Sequence, residues 1–466
     1  MGSKVQQSRT VRSPGETDTS EESTDSEISF TVSSDEGKLS SEDVLLESSL
    51  STRVPWRSVS AFFFFTSYNV VSKRYFSLAA SSRDSDDPLA QAAVFGFLVN
   101  MVILSGTVLF CRAVDCLDHH YLAMVCVLSM STITAVVAWV CALTLPVADR
   151  RIQGLIFVAI FLSSGPQPLR DAIATKLVQY NSKICNGTSQ SFGKQRLFMV
   201  LGQMVLALIT SSLMHGFGPS NCLVAFAGCL ACAMLVFGIR LKEVSEWYGQ
   251  VKAVESTIIA KRPTQSDWCS RSGLGLVPLI LSFLFIGMAS GQIDYILFPY
   301  LYGLGMPLSV LGISHAIALA AEIPTYYLEN ELVEFIGSYE GTFIVSCATM
   351  CIRLGLLAMF VVDSSPTPLS VGFLIFTEML HGLAGAPVRF VTARLANTVA
   401  PPHLQTTFQA CFNLAVGHGG AAVSCVLLYF CSRVGVRAIF AASAVFSLVA
   451  AVPILMLQVM NKRLRQ

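Results

Sequence analysis

Glu378 and His381 stand three residues apart in the otherwise apolar stretch FLIFTEMLHGLAGAP. That spacing places a carboxylate and an imidazole on one face of a helix. In a low-dielectric setting each can change its charge state at modest cost, which is the chemistry of a proton relay. Arg353, in IVSCATMCIRLGLLAMFVV, is a permanent cation that can hold a carboxylate ionised. Glu322 lies in IALAAEIPTYYL, two residues before Pro324, where an opened backbone would line a cavity. These four residues form a candidate proton-coupling set. The plainer alternative is a fixed Arg–Glu pair that orients two helices, with His381 bonded to a backbone carbonyl.

A second set lies earlier in the chain. PQPLRDAIATKL carries Asp171, and FGKQRLFMVLGQMV carries Arg196. Paired across two helices, they would grip solute hydroxyls through charge-assisted hydrogen bonds. The alternative for Arg196 is that it snorkels to the membrane interface. Asn69, beside Tyr68 in the first apolar run, offers an amide to the same cavity. A charge in hydrocarbon costs a few kcal/mol on insertion scales, so such residues usually face a partner or a watery route.

The elements that must position these groups are membrane helices. Of the 466 residues 53% are hydrophobic and 13% charged, with a mean hydropathy of +0.60. Soluble domains carry about 25% charged residues. Twelve apolar runs approach the roughly 20 residues that a span requires. The expected fold is an all-α membrane protein of twelve transmembrane helices in two pseudo-symmetric six-helix halves. A Ser-, Thr- and Glu-rich tail over 1–52 has too little apolar material to pack, and its serines offer sites for kinase regulation. The halves are read as 53–241 and 273–460. A charged central loop over 242–272 separates them, and a basic end closes the chain at 461–466. Lys73 and Arg74 interrupt the first run near its end and are assigned to the outer side.

Basic residues in the central loop, in the loop after the fourth run and at the chain end put both termini in the cytosol. A multi-pass protein of the plasma membrane or an endomembrane follows. The net charge of +1 gives no sign of a nucleic-acid partner. No nucleotide loop, metal-ligand spacing or nucleophile–base pair stands out, so no enzyme, cofactor or metal is expected. The fourteen cysteines form no framework, and Cys229-x-x-Cys232 falls in an apolar run where it reads as packing.

FGKQRLFMVLGQ, AEIP, EMLHGLAGA and APPHLQTTFQACFNLAVGHGGAAVSCVLLYFCSRVG, set in this helix order, carry a family likeness. Over residues 55–460 the chain resembles a major facilitator superfamily transporter. More narrowly, it resembles the oligosaccharide or nucleoside proton symporter branch, which includes lactose permease and the eukaryotic facilitator-domain-6-like proteins. The resemblance implies sugar contact at Asp171 and Arg196. It implies coupling roles for Glu322, Arg353 and His381. The sugar-stacking tryptophan of that branch falls on Gln203. Its proton-carrying glutamate falls on Ala384, with Glu378, six residues earlier on a nearby turn, as the substitute. The gating loop after the second helix keeps Asp115 without its following arginine. The implied function is a proton-coupled secondary transporter of a small polar solute, sugar- or nucleoside-like. The alternative is a receptor or scaffold that kept the fold and lost transport.

Overall fold

The computed structural model describes residues 56–68, 71–80, 87–116, 120–145, 147, 149–166, 170, 192–261, 267–360, 367–399, 405–431 and 435–465. The tail over 1–52, Asn69 and Asp171 lie outside these residues, and so does the side chain of Asp115. Ten helices among the described residues are long and apolar enough to cross a membrane. Many of their large apolar side chains are exposed, among them Leu109, Ile133, Ile239, Met359 and Val445. Lipid tails solvate such surface, so its exposure carries no penalty in a bilayer.

The first run is not one uniform helix. It comprises α1 (Trp56–Phe65), a π-helical turn π1 (Val71–Tyr75) and α2 (Phe76–Ala80). Helices α3 (Pro88–Cys116), α4 (His120–Ala142) and α5 (Arg150–Ser163) follow. Asp149 caps α5 by accepting the Arg151 amide at 2.8 Å. Next come α6 (Phe192–Phe217) and α7 (Cys222–Lys261). The expected central loop is therefore largely helical, as α7 runs on through Lys261. The stretch from Arg240 to Lys261 holds only one glycine and no proline, and Arg240 and Glu243 pair one turn apart at 3.8 Å.

The second part opens with α8 (Asp267–Gln292), a second π-turn π2 (Ile293–Leu297) and α9 (Phe298–Gly303). Gly305, at φ 90°, turns the chain into α10 (Leu308–Tyr327). A short helix α11 (Glu329–Ile336) ends at Gly337, also at φ 90°, and Ser338 caps α12 (Tyr339–Met359). Then come α13 (Pro368–Val399), α14 (Gln405–Leu414), a third π-turn π3 (Ala415–Gly419), α15 (Gly420–Cys431) and α16 (Val436–Arg465). Pro324 sits inside α10 without opening it, at the cost of the one hydrogen bond that an N–H there would give to the Ala320 carbonyl. The irregular backbone lies instead in the three π-turns.

Within the first part α1 packs on α6 and α7, and α4 on α5 and α7. Within the second, α8 packs on α15 and α16, while α13 packs on α10 and α12. Two seams join the parts, α6 against α10 and α3 against α14 and α15. Both are tight. A Cβ on Gly312 would overlap the Ser211 side chain, and one on Gly96 would lie 2.8 Å from the Tyr295 ring. These contacts lie toward the end that carries the connections at 218–221 and 304–307.

Candidate functional site

A cavity of about 170 Å³ lies between the two parts. That is room for about five or six waters at roughly 30 Å³ each. All three π-turns contribute to its wall: π1 supplies Lys73 and Arg74, π2 supplies Asp294, and π3 supplies Val416, Gly417 and His418. A π-turn inserts an extra residue into a helix, which re-aims side chains and is frequent at functional sites.

The remaining wall comes from polar stripes at helical spacing. On α6, Arg196, Met199 and Gln203 recur three and four residues apart. On α10, His315, Leu319 and Glu322 do the same. On α13 the stripe runs through Glu378, His381, Gly385, Arg389 and Thr392, spaced three, four, four and three. Such spacing keeps one face toward a neighbour over several turns. Three of these α13 side chains, His381, Arg389 and Thr392, line the cavity.

Buried ion pairs tie the site together. Glu378, fully buried, accepts from Arg74 Nη1 at 3.1 Å through Oε2 and from Arg353 Nη2 through Oε1. Arg353 is equally buried and also donates from Nε to the Thr377 carbonyl at 2.8 Å. Arg74 donates from Nε to Asp294 at 3.2 Å, and its guanidinium lies 5.2 Å from the Phe298 ring centre. Lys73 stands 3.8 Å from Asp294 and donates to the Gly417 carbonyl at 3.2 Å. Glu322 meets Arg389 Nη1 with both oxygens, at 2.8 and 3.0 Å. Each of these carboxylates is thus engaged by at least one cation, as a buried charge requires.

Three histidines face the same cavity. His315 stacks 6.2 Å from Tyr75 and lies edge-on 5.7 Å from Phe298. The Nδ1 atoms of His315 and His381 are buried and meet no hydrogen-bond partner among the described residues. His381 Nδ1 therefore does not make the backbone-carbonyl contact of the plainer alternative. His418 is better determined. Asn100 donates from Nδ2 to the Gly96 carbonyl at 2.7 Å, so its Oδ1 must accept from His418 Nδ1 at 2.9 Å. The proton therefore sits on Nδ1 and leaves Nε2 as an acceptor.

The structure brings Glu322, Arg353, Glu378 and His381 into one region, and Arg196 and Gln203 onto the same cavity wall. Glu322 pairs with Arg389, while Arg353 pairs with Glu378. Sequence reasoning missed Arg389, Asp294 and His315, and it misplaced Lys73 and Arg74. The last two sit inside the bundle because the first run continues past them to Ala80. Arg389 stands eleven residues after Glu378 and His315 seven before Glu322, both multiples of a helical face, so each was within reach of a periodicity test. Asp294 had no such companion on its own helix. Arg170, next to Asp171, is buried, donates to Thr66 Oγ1 at 2.7 Å and lies 4.7 Å from the Phe63 ring centre.

The MFS_1 like family model matches residues 90–442. No curated protein sequence matches the chain significantly. Among solved structures, the nucleoside transporter NupG superposes with a TM-score of 0.58 at 13% identity, over 88% of this chain and 98% of that one. The peptide transporter POT in complex with sulfate superposes with a TM-score of 0.63 at 13% identity, over 90% and 99%. A POT family transporter in complex with 5-aminolevulinic acid gives 0.55 at 14% identity, over 86% and 96%. At these identities the likeness concerns the fold.

Proposed function

Because the chain belongs to the MFS_1 like family of membrane transporters, we propose that it carries a small polar solute, sugar- or nucleoside-like, across a bilayer by alternating access and that protons drive the movement. One observation carries this reading: Glu378 links Arg74 of the first part to Arg353 of the second beside the cavity. A carboxylate in that position ties the two parts together only while it is ionised. Protonation cancels its charge and weakens the bridge to Arg74, and this couples proton binding to separation of the parts. Asp294 provides the second bridge, to Lys73 and Arg74.

Arg196 and Gln203 contact solute from the first part, with Asn69 and Asp171 proposed beside them. Glu322, Arg353, Glu378 and His381 couple the proton, and Asp115 belongs to the gating loop. With both termini in the cytosol, the end bearing 218–221 and 304–307, where the two seams are tight, faces outward. The basic residues of the loops support that orientation.

The test is uptake into proteoliposomes from a panel of labelled small solutes, with and without an inward proton gradient. Gradient-dependent accumulation of at least one solute is expected. A folded protein that moves none of them, and whose cysteine alkylation no solute alters, would instead be a receptor or scaffold.

A further inference from the structure

The charges around the cavity do not balance. Among the described residues, Lys73, Arg74, Arg170, Arg196 and Arg389 line it, and Arg353 stands behind. Against these six cations stand three carboxylates, Asp294 and Glu322 in the wall and Glu378 behind it. Asp171, the remaining acid of the fourth apolar run, would lower the excess by one and still leave it positive. Charges set into a cleft between helices are screened less than charges on an open surface, so the excess creates a field that favours an anion.

The hydrogen-bonding groups point the same way. Lys73 is only loosely held by Asp294 at 3.8 Å and is one-fifth exposed. Arg389 is about one-third exposed, and both its contacts with Glu322 run through the single Nη1 atom. His315 and His381 add buried Nδ1 atoms that lack partners among the described residues, and both rings line the cavity.

We propose that the solute carries an anionic group, a carboxylate or a phosphate, seated among Lys73, Arg389, His315 and His381. This rests on the transporter reading above and narrows it from a neutral sugar or nucleoside to an acidic solute of similar size. Arg389 and Lys73 supply charge-assisted hydrogen bonds to the anion, and the imidazoles complete its shell.

The experiment uses the full chain in proteoliposomes and matched pairs that differ by one acidic group: glucose and glucuronate, nucleosides and their monophosphates, amino alcohols and amino acids. Binding is read by thermal stabilisation and transport by uptake. In at least one pair the charged member binds tenfold tighter or more, and the successful pair identifies carboxylate or phosphate. Lys73→Gln lowers the preference for the charged over the neutral member fivefold or more, a ratio that a weakened bridge to Asp294, acting on both members alike, does not move. Neutral members that bind as well as their charged partners overturn this inference and leave the transporter reading standing. A Lys73→Gln protein with the wild-type preference overturns the seat assigned to the anion. Failure of every pair to bind or move, in a protein whose thermal melt shows it folded, overturns both readings.

Discussion

Replacing Glu378 by Gln keeps the shape of the bridge and removes its charge. The two guanidinium groups it serves are affected differently. Arg353 and Glu378 lie on α12 and α13, neighbours within one part, so their contact persists whether the two parts lie together or apart. Its loss lowers the stability of every state alike, by about 3–5 kcal/mol for a buried pair deprived of one partner. Arg74 belongs to the other part, so under alternating access it meets Glu378 only while the end with the tight seams is shut. Arg74 also keeps Asp294 at 3.2 Å, so the state-dependent loss is one hydrogen bond between charged groups, about 1.5–3 kcal/mol. At about 1.4 kcal/mol per factor of ten, the shut state loses roughly ten- to hundredfold in relative population. Spin labels at Phe217 and Gly303, exposed on the two sides of that end, read the change directly. The wild type gives a short distance, and the variant adds a longer one. In vesicles the variant exchanges solute across the membrane but no longer accumulates it against a gradient. A variant with wild-type distances and wild-type accumulation would refute the reasoning.

Gly312→Ala places a methyl group on the Ser211 side chain, so the shut state should become strained and the same labels should move apart. Adding Ser211→Gly removes the overlapping atoms and should restore the wild-type distance; a double variant that stays apart would show that the seam is not the cause. Arg353→Ala leaves Glu378 buried with Arg74 alone and should cost about 3–5 kcal/mol of stability. Combining it with Glu378→Gln should cost less than the sum of the two changes, as read by chemical or thermal unfolding in detergent, whereas strict additivity would argue against a coupled pair.

The polar positions that interrupt apolar runs were legible because hydrocarbon makes any charge conspicuous. Glu322, Arg353, Glu378 and His381 stood out for that reason. Their partners did not follow, because pairing is decided between helices: Arg74 and Glu378 are 304 residues apart, and no periodicity within one helix reports on the other. A straight α-helix would carry Lys73 and Arg74 to the interface, which is why the sequence suggests the end of a span there. The π-turn and the helix beyond it keep them inside. Pro324 pointed to a broken backbone in α10, yet the irregular turns fall at Val71–Tyr75, Ile293–Leu297 and Ala415–Gly419, and only the second has a proline beside it, Pro299. The charged stretch after Arg240 was read as loop from its polarity, although its composition favours helix throughout.

The coupling of proton to solute is the centre of this account, and proton movement tests it most directly. Proteoliposomes in a weakly buffered medium receive a pulse of a transported solute while a pH electrode follows the outside. The account predicts that solute entry raises the external pH in fixed proportion to the solute taken up, and that Glu378→Gln abolishes the pH change while solute exchange continues. Solute entry without any movement of protons in the wild type would contradict it.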